Sequence, residues 1–588
     1  MVSSSHLAKV GFVVSGLFSS LASTAPSTAA CTPTDVDYVI VGAGPAGLVL
    51  AEQLTQNPDV SVVLLEAGVS GEGNTNISTP AIFFMGTYQY NWPYLSQPVA
   101  SLGGFRPNLV QARMVGGGSG INAMLYCRGS ASVYDEWAKV SGNKGLAWSS
   151  MFEAFKATSH WTDEPSIKYD QPLNTSSFGD GPLEISRQRE LFGIDEPFVN
   201  TLADQLDLPV IDFVSGGGIG VSQAVNSIRA SNRTRSFAEN TFGYIANGRS
   251  NYHLIQNAWV SKINFSANRA DSVTYEDQIT GKNETIRAKE IIITAGAIKT
   301  PQLLMLSGVG PAKALKALGI KVVADVPEVG QNLIDHHMAI MAFATTSEED
   351  TLYKLESNGT WAAQEAAAYA ADGSGFLGSQ EGDAIAASRL PDSVFDGVEA
   401  THFKNIPADR AHVAFGYANQ NMIIDNPVPL PADLAVVSGY AAVTQPESRG
   451  TIALASANFH DAPLINSQYW STPAEKAAIL HAYKQVREVF GSKAMGQYIT
   501  SELYPGANVT SDEGLWAAIQ RTSSSWHHPV GTTSLGTVLG ADWRVKGLRG
   551  LRVVGSSAAP QIPTCPIQAS IYAMAYVAAA DIKRDDKL

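Results

Sequence analysis

The sequence predicts an α/β fold with an α+β second domain, and three observations carry that prediction. The first is a βαβ pattern near the start. Tyr38-Val39-Ile40-Val41 is a continuous apolar run, as a strand buried on both faces requires. A glycine-rich turn and a helical stretch to Gln56 follow, and Val62-Val63-Leu64-Leu65 reads as the next strand. Such a unit makes its two strands parallel, with a right-handed crossover. The second observation is that further apolar strands, Glu290 to Thr294 and Leu551 to Val554, lie far downstream. One sheet is therefore assembled from distant pieces of chain. The third is length: 588 residues exceed one ordinary core, given about 100–200 residues per domain. The intervening chain must build something of its own.

Composition narrows the class. Hydrophobic residues make up 45% and charged residues 16%, enough for a large core and too apolar for a disordered chain. The net charge of −14 argues against nucleic acid and anionic membrane surfaces, which need a basic face. The run Ile571 to Ala580 is apolar but about half the roughly 20 residues of a membrane span. It reads as a buried, alanine-packed helix, and no membrane insertion is expected. Of the three cysteines, Cys31, Cys127 and Cys565, none stands in a CxxC or Cys/His spacing, so no metal site is expected. At most one disulfide can form, and neither Cys127 nor Cys565 reads as a structural staple.

The N-terminus has the form of a secretory signal. Lys9 precedes an apolar stretch from Val10 to Leu21, and Ala22 to Ala30 is small and rich in Ser, Thr and Ala. Asn76, Asn174, Asn232, Asn264, Asn283, Asn358 and Asn508 each open an N-x-Ser/Thr sequon. A secreted or secretory-lumen, N-glycosylated protein is expected.

Gly42-Ala43-Gly44-Pro45-Ala46-Gly47 follows the first strand and opens a helix. The first glycine permits the tight turn, the second lets backbone approach a pyrophosphate, and the third lets helix and strand pack closely. Glu66 closes the second strand, where a carboxylate can bind a ribose hydroxyl and would repel a 2′-phosphate. A Rossmann-like dinucleotide site is expected.

Two longer motifs specify the cofactor. In Arg113-Met-Val-Gly116-Gly117-Gly118-Ser-Gly120-Ile121-Asn122-Ala123-Met124, successive glycines bring backbone amides against a flat ligand, and Asn122 offers an amide to a heteroaromatic ring. Gly296-Ala-Ile-Lys-Thr-Pro-Gln-Leu-Leu-Met-Leu-Ser-Gly-Val-Gly310 marks a second strand-to-helix junction. With these motifs the chain resembles the glucose–methanol–choline (GMC) oxidoreductases. In character it is nearest to secreted aryl-alcohol oxidases and glucose oxidase-like flavoproteins. The resemblance continues through Val329-Gly-Gln-Asn-Leu-Ile-Asp335-His336, Pro446-Glu-Ser-Arg449-Gly450, His528-Pro-Val-Gly531-Thr532 and Gly550-Leu-Arg-Val-Val554.

The resemblance implies FAD, bound by Gly42, Gly44, Pro45, Ala46, Gly47, Glu66, Ala67, Arg113, Gly117, Asn122, Ala123, Met124, Leu125, Val260, Ser556, Pro566 and Ile567. Ile121 stands where members with covalent flavin carry His, so the FAD is expected to be non-covalent. The resemblance also implies an antiparallel-sheet substrate domain interleaved with the FAD domain. The expected boundaries are a leader over 1–30, FAD-domain parts over 35–155, 236–335 and 506–588, and substrate-domain parts over 156–235 and 336–505. Within the last, Asp350 to Leu390 is rich in Ala, Gly and Ser and reads as an insertion or lid.

By the same resemblance His528 is the catalytic base that takes the alcohol proton while hydride passes to flavin N5. An imidazole pKa near 6.5 suits that task. His527 replaces the aromatic residue of aryl-alcohol oxidases and implies a more polar pocket. The family's second active-site residue, His or Asn, falls in register on Pro566, which has no side-chain donor. Cys565 beside it is a pocket neighbour and a candidate exposed nucleophile. Gly555 stands where the family usually has Asp. Phe83, Phe84, Tyr90 and Trp92 fall where an access channel or ordinary core would lie.

The expected function is oxidation of a small-molecule alcohol, plausibly aromatic or a secondary-metabolic intermediate, with oxygen or a quinone as electron acceptor. The alternatives are a non-redox flavin-containing cyclase of the versicolorin B synthase type or a hydroxynitrile lyase, and a non-enzymatic flavoprotein. Oligomeric state is not readable.

Overall fold

The computed structural model of the chain describes residues 33–83, 87–162, 171–380, 382, 384–431 and 433–588. The expected leader, Cys31 and Phe84 lie outside these residues. Two seven-stranded sheets organise the molecule.

The first sheet has a parallel centre. Asp35–Val41 pairs with Val62–Leu65 on one side and with Lys282–Ile293 on the other. Tyr252–Ile255 extends it at one edge, and Leu551–Val553 joins Lys282–Ile293 in parallel. Val39, Ile40, Val62, Val63, Leu64, Ile291 and Ile292 are fully buried, as a sheet covered on both faces demands. The sheet is not parallel throughout. Ala258–Ser266, Arg269–Asp277 and Lys282–Ile293 form an antiparallel meander, so the strand read from Glu290 begins eight residues earlier, at Lys282. Its first half alternates charged and polar residues, which hides it from a search for apolar runs.

Two helices cover one face. Pro45–Leu54 follows the fingerprint turn, with Pro45 in its first turn where a missing N–H costs nothing. Gln568–Asp586 packs against it through a nearly all-buried surface that includes Ala573, Ala575, Ala578 and Ala579. Small side chains let the two backbones approach closely. The buried, alanine-packed helix read at Ile571 to Ala580 is therefore present. Among the described residues no helix is long and apolar enough to cross a membrane.

The second sheet is antiparallel. Its order runs Ile499–Tyr504, His337–Thr345, Val436–Val443, Val413–Ala418, Ala384–Ser388 and Gly220–Gln223, with Ser523–Ser525 also paired to His337–Thr345. Its segments alternate along the chain with those of the first sheet. One departure from the expected segmentation matters: Ser523–Ser525 belongs to this sheet, not to the first. The chain leaves that strand and returns to the first sheet at Leu551, so residues 526–550 cross between the two.

The Ala-, Gly- and Ser-rich stretch from Asp350 is structured. It forms the helices Leu352–Ser357 and Gly359–Asp372 and then the sheet strand Ala384–Ser388. Leu352, Leu355, Ala362 and Ala366 pack with Phe376, Phe192 and Ile82 in a local core. Alanine is the best helix former, so this composition reads as helix as readily as loop.

Candidate active site

The fingerprint turn is built for close approach. A Cβ on Gly47 would lie 2.1 Å from the Gly42 carbonyl oxygen, and one on Gly117 would lie 2.7 Å from Gly44 Cα. Gly42 itself has φ +107°, which an L side chain rarely adopts. By contrast, a Cβ on Gly44 would meet no atom closer than 4.0 Å, and one on Gly118 nothing within 4 Å. Backbone is thus bare toward an open space at both turns, a cradle that a flat cofactor and its pyrophosphate would fill.

Glu66 closes the same space. One carboxylate oxygen accepts the Ala43 N–H at 2.9 Å and the other the Gly68 N–H at 2.8 Å. Burial pushes its pKa up to about 7. Arg113 donates to the Gln278 side chain and lies over the Trp92 and Trp259 rings.

Asn122 is oriented by a residue that sequence reading missed. Arg235, fully buried, donates to the Asn122 side-chain oxygen and to its carbonyl, both at 2.7 Å. That oxygen also accepts the Met124 N–H at 3.1 Å. The Asn122 NH₂ is left as the donor available to a ligand. Gln568 ties the C-terminal helix to the same motif by donating to the Leu125 carbonyl at 2.6 Å.

Two C-terminal pieces converge with the helix Gly296–Leu306. Gly531 N–H donates to the Ser556 carbonyl at 3.1 Å, and Thr533 N–H to the Ser557 carbonyl at 2.8 Å. The Thr532 hydroxyl donates to the Ala297 carbonyl at 2.6 Å, on the helix of the second signature. His528 therefore stands at the seam, three residues after the last strand of the antiparallel sheet.

A buried carboxylate shapes that turn. Asp335 accepts the His528 backbone N–H at 2.9 Å and the hydroxyls of Ser525 and Tyr469. Ser525 Oγ in turn accepts the His527 N–H at 2.8 Å. Burial raises Asp335 to about 6 despite these donors. His527 is held at φ +63° and is exposed, while Ser525 and Pro529 on either side are buried. Protein surrounds it at longer range, which lowers its pKa, while the Asp425 carboxylate opposes that shift. His527 thus faces an opening inside the molecule.

The His528 ring has two aromatic neighbours. His336 Nδ1 lies 3.0 Å from His528 Nδ1, and the Trp526 ring centroid is 5.2 Å away. Burial holds the His528 pKa well below the ordinary imidazole value, and His336 and His527 push it the same way. Trp526 also contacts Tyr440. Trp526, rather than Tyr90 or Trp92, is the aromatic against His528. Tyr90 packs with Ile77, Met114 and Phe237, and Trp92 lies with Trp259 over Arg113 and Lys299.

The expectation of an exposed thiol at Cys565 is corrected. Cys565 is disulfide-bonded to Cys127 across 438 residues of sequence and is 1% exposed. The two segments are already joined by the Ser130 N–H, which donates to Thr564 Oγ1 at 2.9 Å, so the Cα atoms lie 6.0 Å apart, within disulfide reach. The pair staples the flavin-motif strand to the C-terminal segment. Pro566 is buried beside it and offers no donor. Gly555 has φ +110°, and a Cβ there would lie 3.2 Å from Ala46 Cβ, so the family's aspartate would be strained at this φ and would crowd Ala46. Val260 and Ile567 lie on the first sheet's meander and at the start of the C-terminal helix. Among the described residues no cluster of His, Cys, Asp and Glu is arranged to hold a metal.

Comparison with known proteins decides the family. The N-terminal GMC oxidoreductase model matches residues 36–338 and the C-terminal model matches 446–575. The chain belongs to the GMC oxidoreductase family. It is 29% identical to pyranose dehydrogenase 3 of Leucoagaricus meleagris, with 92% of each chain covered. It is 30% identical to patulin synthase of Aspergillus clavatus, over 93% of this chain and 91% of that one. An FAD-dependent oxidoreductase from Chaetomium thermophilum superposes with a TM-score of 0.84 at 29% identity, covering 94% of this chain and all of that one. As a GMC oxidoreductase the protein is an FAD-dependent enzyme acting on CH–OH donors, and the cradle fits that cofactor. Gly44 and Gly118 present bare backbone to it, and the Asn122 NH₂ is free.

Proposed function

We propose that this GMC oxidoreductase is a secreted enzyme that oxidises a small-molecule alcohol, with His528 as the base. The observation that carries the reading is the His528 ring, held neutral by burial and fixed at the seam beside the cofactor cradle. When bound, FAD supplies the two-electron acceptor for the hydride of the carbinol C–H. The chain's own part is to bind FAD, hold the alcohol oxygen against His528 and take its proton there. Trp526, against the imidazole, covers one side of the base with apolar surface. Cys565 takes no part as a nucleophile, since its sulfur is already bonded. His527 makes the pocket polar and is assigned to substrate contact. FAD is held without a covalent bond, because Ile121 offers no nucleophile. The likeness to patulin synthase supports a biosynthetic intermediate as substrate, and oxygen or a quinone serves as acceptor.

A leader over residues 1–30 directs secretion. The exposed sequons at Asn174, Asn232, Asn283, Asn358 and Asn508 support glycosylation, as the disulfide supports an oxidising compartment.

Pro566 favours a second reading: a base without its donor partner suits acid–base chemistry with no net redox, as in the family's cyclases and lyases. An anaerobic titration with aryl, aliphatic and sugar alcohols separates the two. Bleaching of the flavin band by one class, abolished in His528→Gln, is the expected result. A flavin that dithionite reduces but no alcohol bleaches would replace oxidation with the second reading. Acid precipitation should release all the flavin into the supernatant.

A further inference from the structure

His336 belongs to no part of the mechanism above, yet it makes a direct side-chain hydrogen bond to the base. It is 0% exposed, and burial pushes its pKa down to about 3, so it carries a single N–H. Its Nε2 lies 3.0 Å from the Thr444 carbonyl oxygen, which can only accept. The proton therefore sits on Nε2, and Nδ1 presents a lone pair. The Pro563 carbonyl also faces the ring. Of the two carbonyls, only that of Thr444 is in hydrogen-bond geometry with a ring nitrogen, so the single proton belongs on Nε2. His336 Nδ1 is 3.0 Å from His528 Nδ1, so His528 must be the donor in that contact. His528 is neutral too, and its one proton is thereby committed to Nδ1.

We infer that His336 is a positioning residue that fixes the tautomer of His528, leaving Nε2 as the unprotonated, proton-accepting nitrogen. The chain of donors runs His528 Nδ1–H to His336 Nδ1, then His336 Nε2–H to the Thr444 carbonyl. An ionised partner on Nδ1 would stabilise the imidazolium and raise its pKa; a neutral imidazole fixes the direction of the bond without adding charge. The titratable groups facing this pair are His337 beside His336, and His527, backed by Asp425, beside His528. The Asp335 carboxylate engages the His528 backbone N–H and leaves its ring free.

The inference rests on His528 being the base, and the test keeps the two apart. Holoenzyme labelled with ¹⁵N-histidine is examined at pH 7, with the His528 signals assigned by difference against His528→Gln. Protonated Nδ1 and unprotonated Nε2 are expected; the reverse would overturn the inference whatever the activity. His336→Gln keeps one acceptor and one donor and should retain most of kcat, whereas His336→Leu should lose about 10- to 100-fold in kcat with KM nearly unchanged. Flavin content and melting temperature, measured on both, identify any variant that merely misfolds. Equal losses in two well-folded variants would mean the hydrogen bond is irrelevant. If His528→Gln still bleached with the alcohol while the tautomer was as expected, the base assignment would fall and the relay would stand.

Discussion

A base must be unprotonated before it can accept a proton, and in the role proposed for His528 burial arranges this in advance of substrate. The consequence is a shifted pH profile. The acid limb of kcat/KM should lie clearly below the ordinary imidazole value of 6.5, because the protonated ring is the form that burial penalises. A limb at or above 6.5 would mean that the titrating group is another residue. How much of this was legible differs from residue to residue. His528 could be proposed as the base from sequence because the residues around it belong to a family motif. Its partner could not, since His336 lies 192 residues away and sequence alone says nothing about which atoms face each other. Arg235 escaped for the same reason. The disulfide was missed because each cysteine was weighed against its own motif, not against the other motif that folding brings beside it.

At the scale of elements, the fingerprint turn separates folding from binding. Gly47→Ala would drive a methyl into the Gly42 carbonyl, so little folded protein is expected. Gly44→Ala meets only open space and should fold with an unchanged melt in the absence of flavin, yet lose FAD. Absorbance at the flavin band and thermal unfolding of the apoprotein test both, and an FAD-replete Gly44→Ala protein would contradict the cradle. The Cys127–Cys565 bridge makes a different prediction. Replacing both cysteines with Ala should cost about 2–5 kcal/mol of stability, read from denaturant unfolding of a protein that still binds FAD. Strands were legible where they are apolar on both faces, as at Tyr38 and Val62. The antiparallel meander was not, because even a central strand such as Lys282–Ile293 begins as solvated, charged chain. Ser523–Ser525 is three serines, with no apolar signal at all.

Over the whole molecule, buried acids set the pH dependence of stability. Glu66, Glu239 and Glu349 are raised to about 7 and Asp195 to about 8, all chiefly by burial, against unfolded values of 4.5 and 3.8. Between those limits the folded chain holds protons that the unfolded chain has released, so stability falls as pH rises. Buried histidines with lowered pKa values, such as His336 and His337, act in the opposite sense but only below about 6.5, where the unfolded chain takes up protons. Above that, Lys299, lowered to about 7 by burial, still opposes the acids, because its unfolded form keeps a proton that the folded form has lost. The four acids contribute a decline in stability, read from the melting temperature, that is complete by about pH 8. Glu349→Gln, which keeps an acceptor for the Ile194 N–H, should flatten that decline. An unchanged slope would remove Glu349 from the account. The sheet order has a consequence for synthesis as well. The strand Asp35–Val41 emerges early from the ribosome, but its neighbour Lys282–Ile293 arrives some 250 residues later, and Leu551–Val553 and the covering helix Gln568–Asp586 come last. Contacts so distant in sequence close slowly and leave apolar strands waiting. The nascent chain therefore has no complete cofactor pocket until translation has nearly ended, and it depends on protection from aggregation for almost the whole of its making.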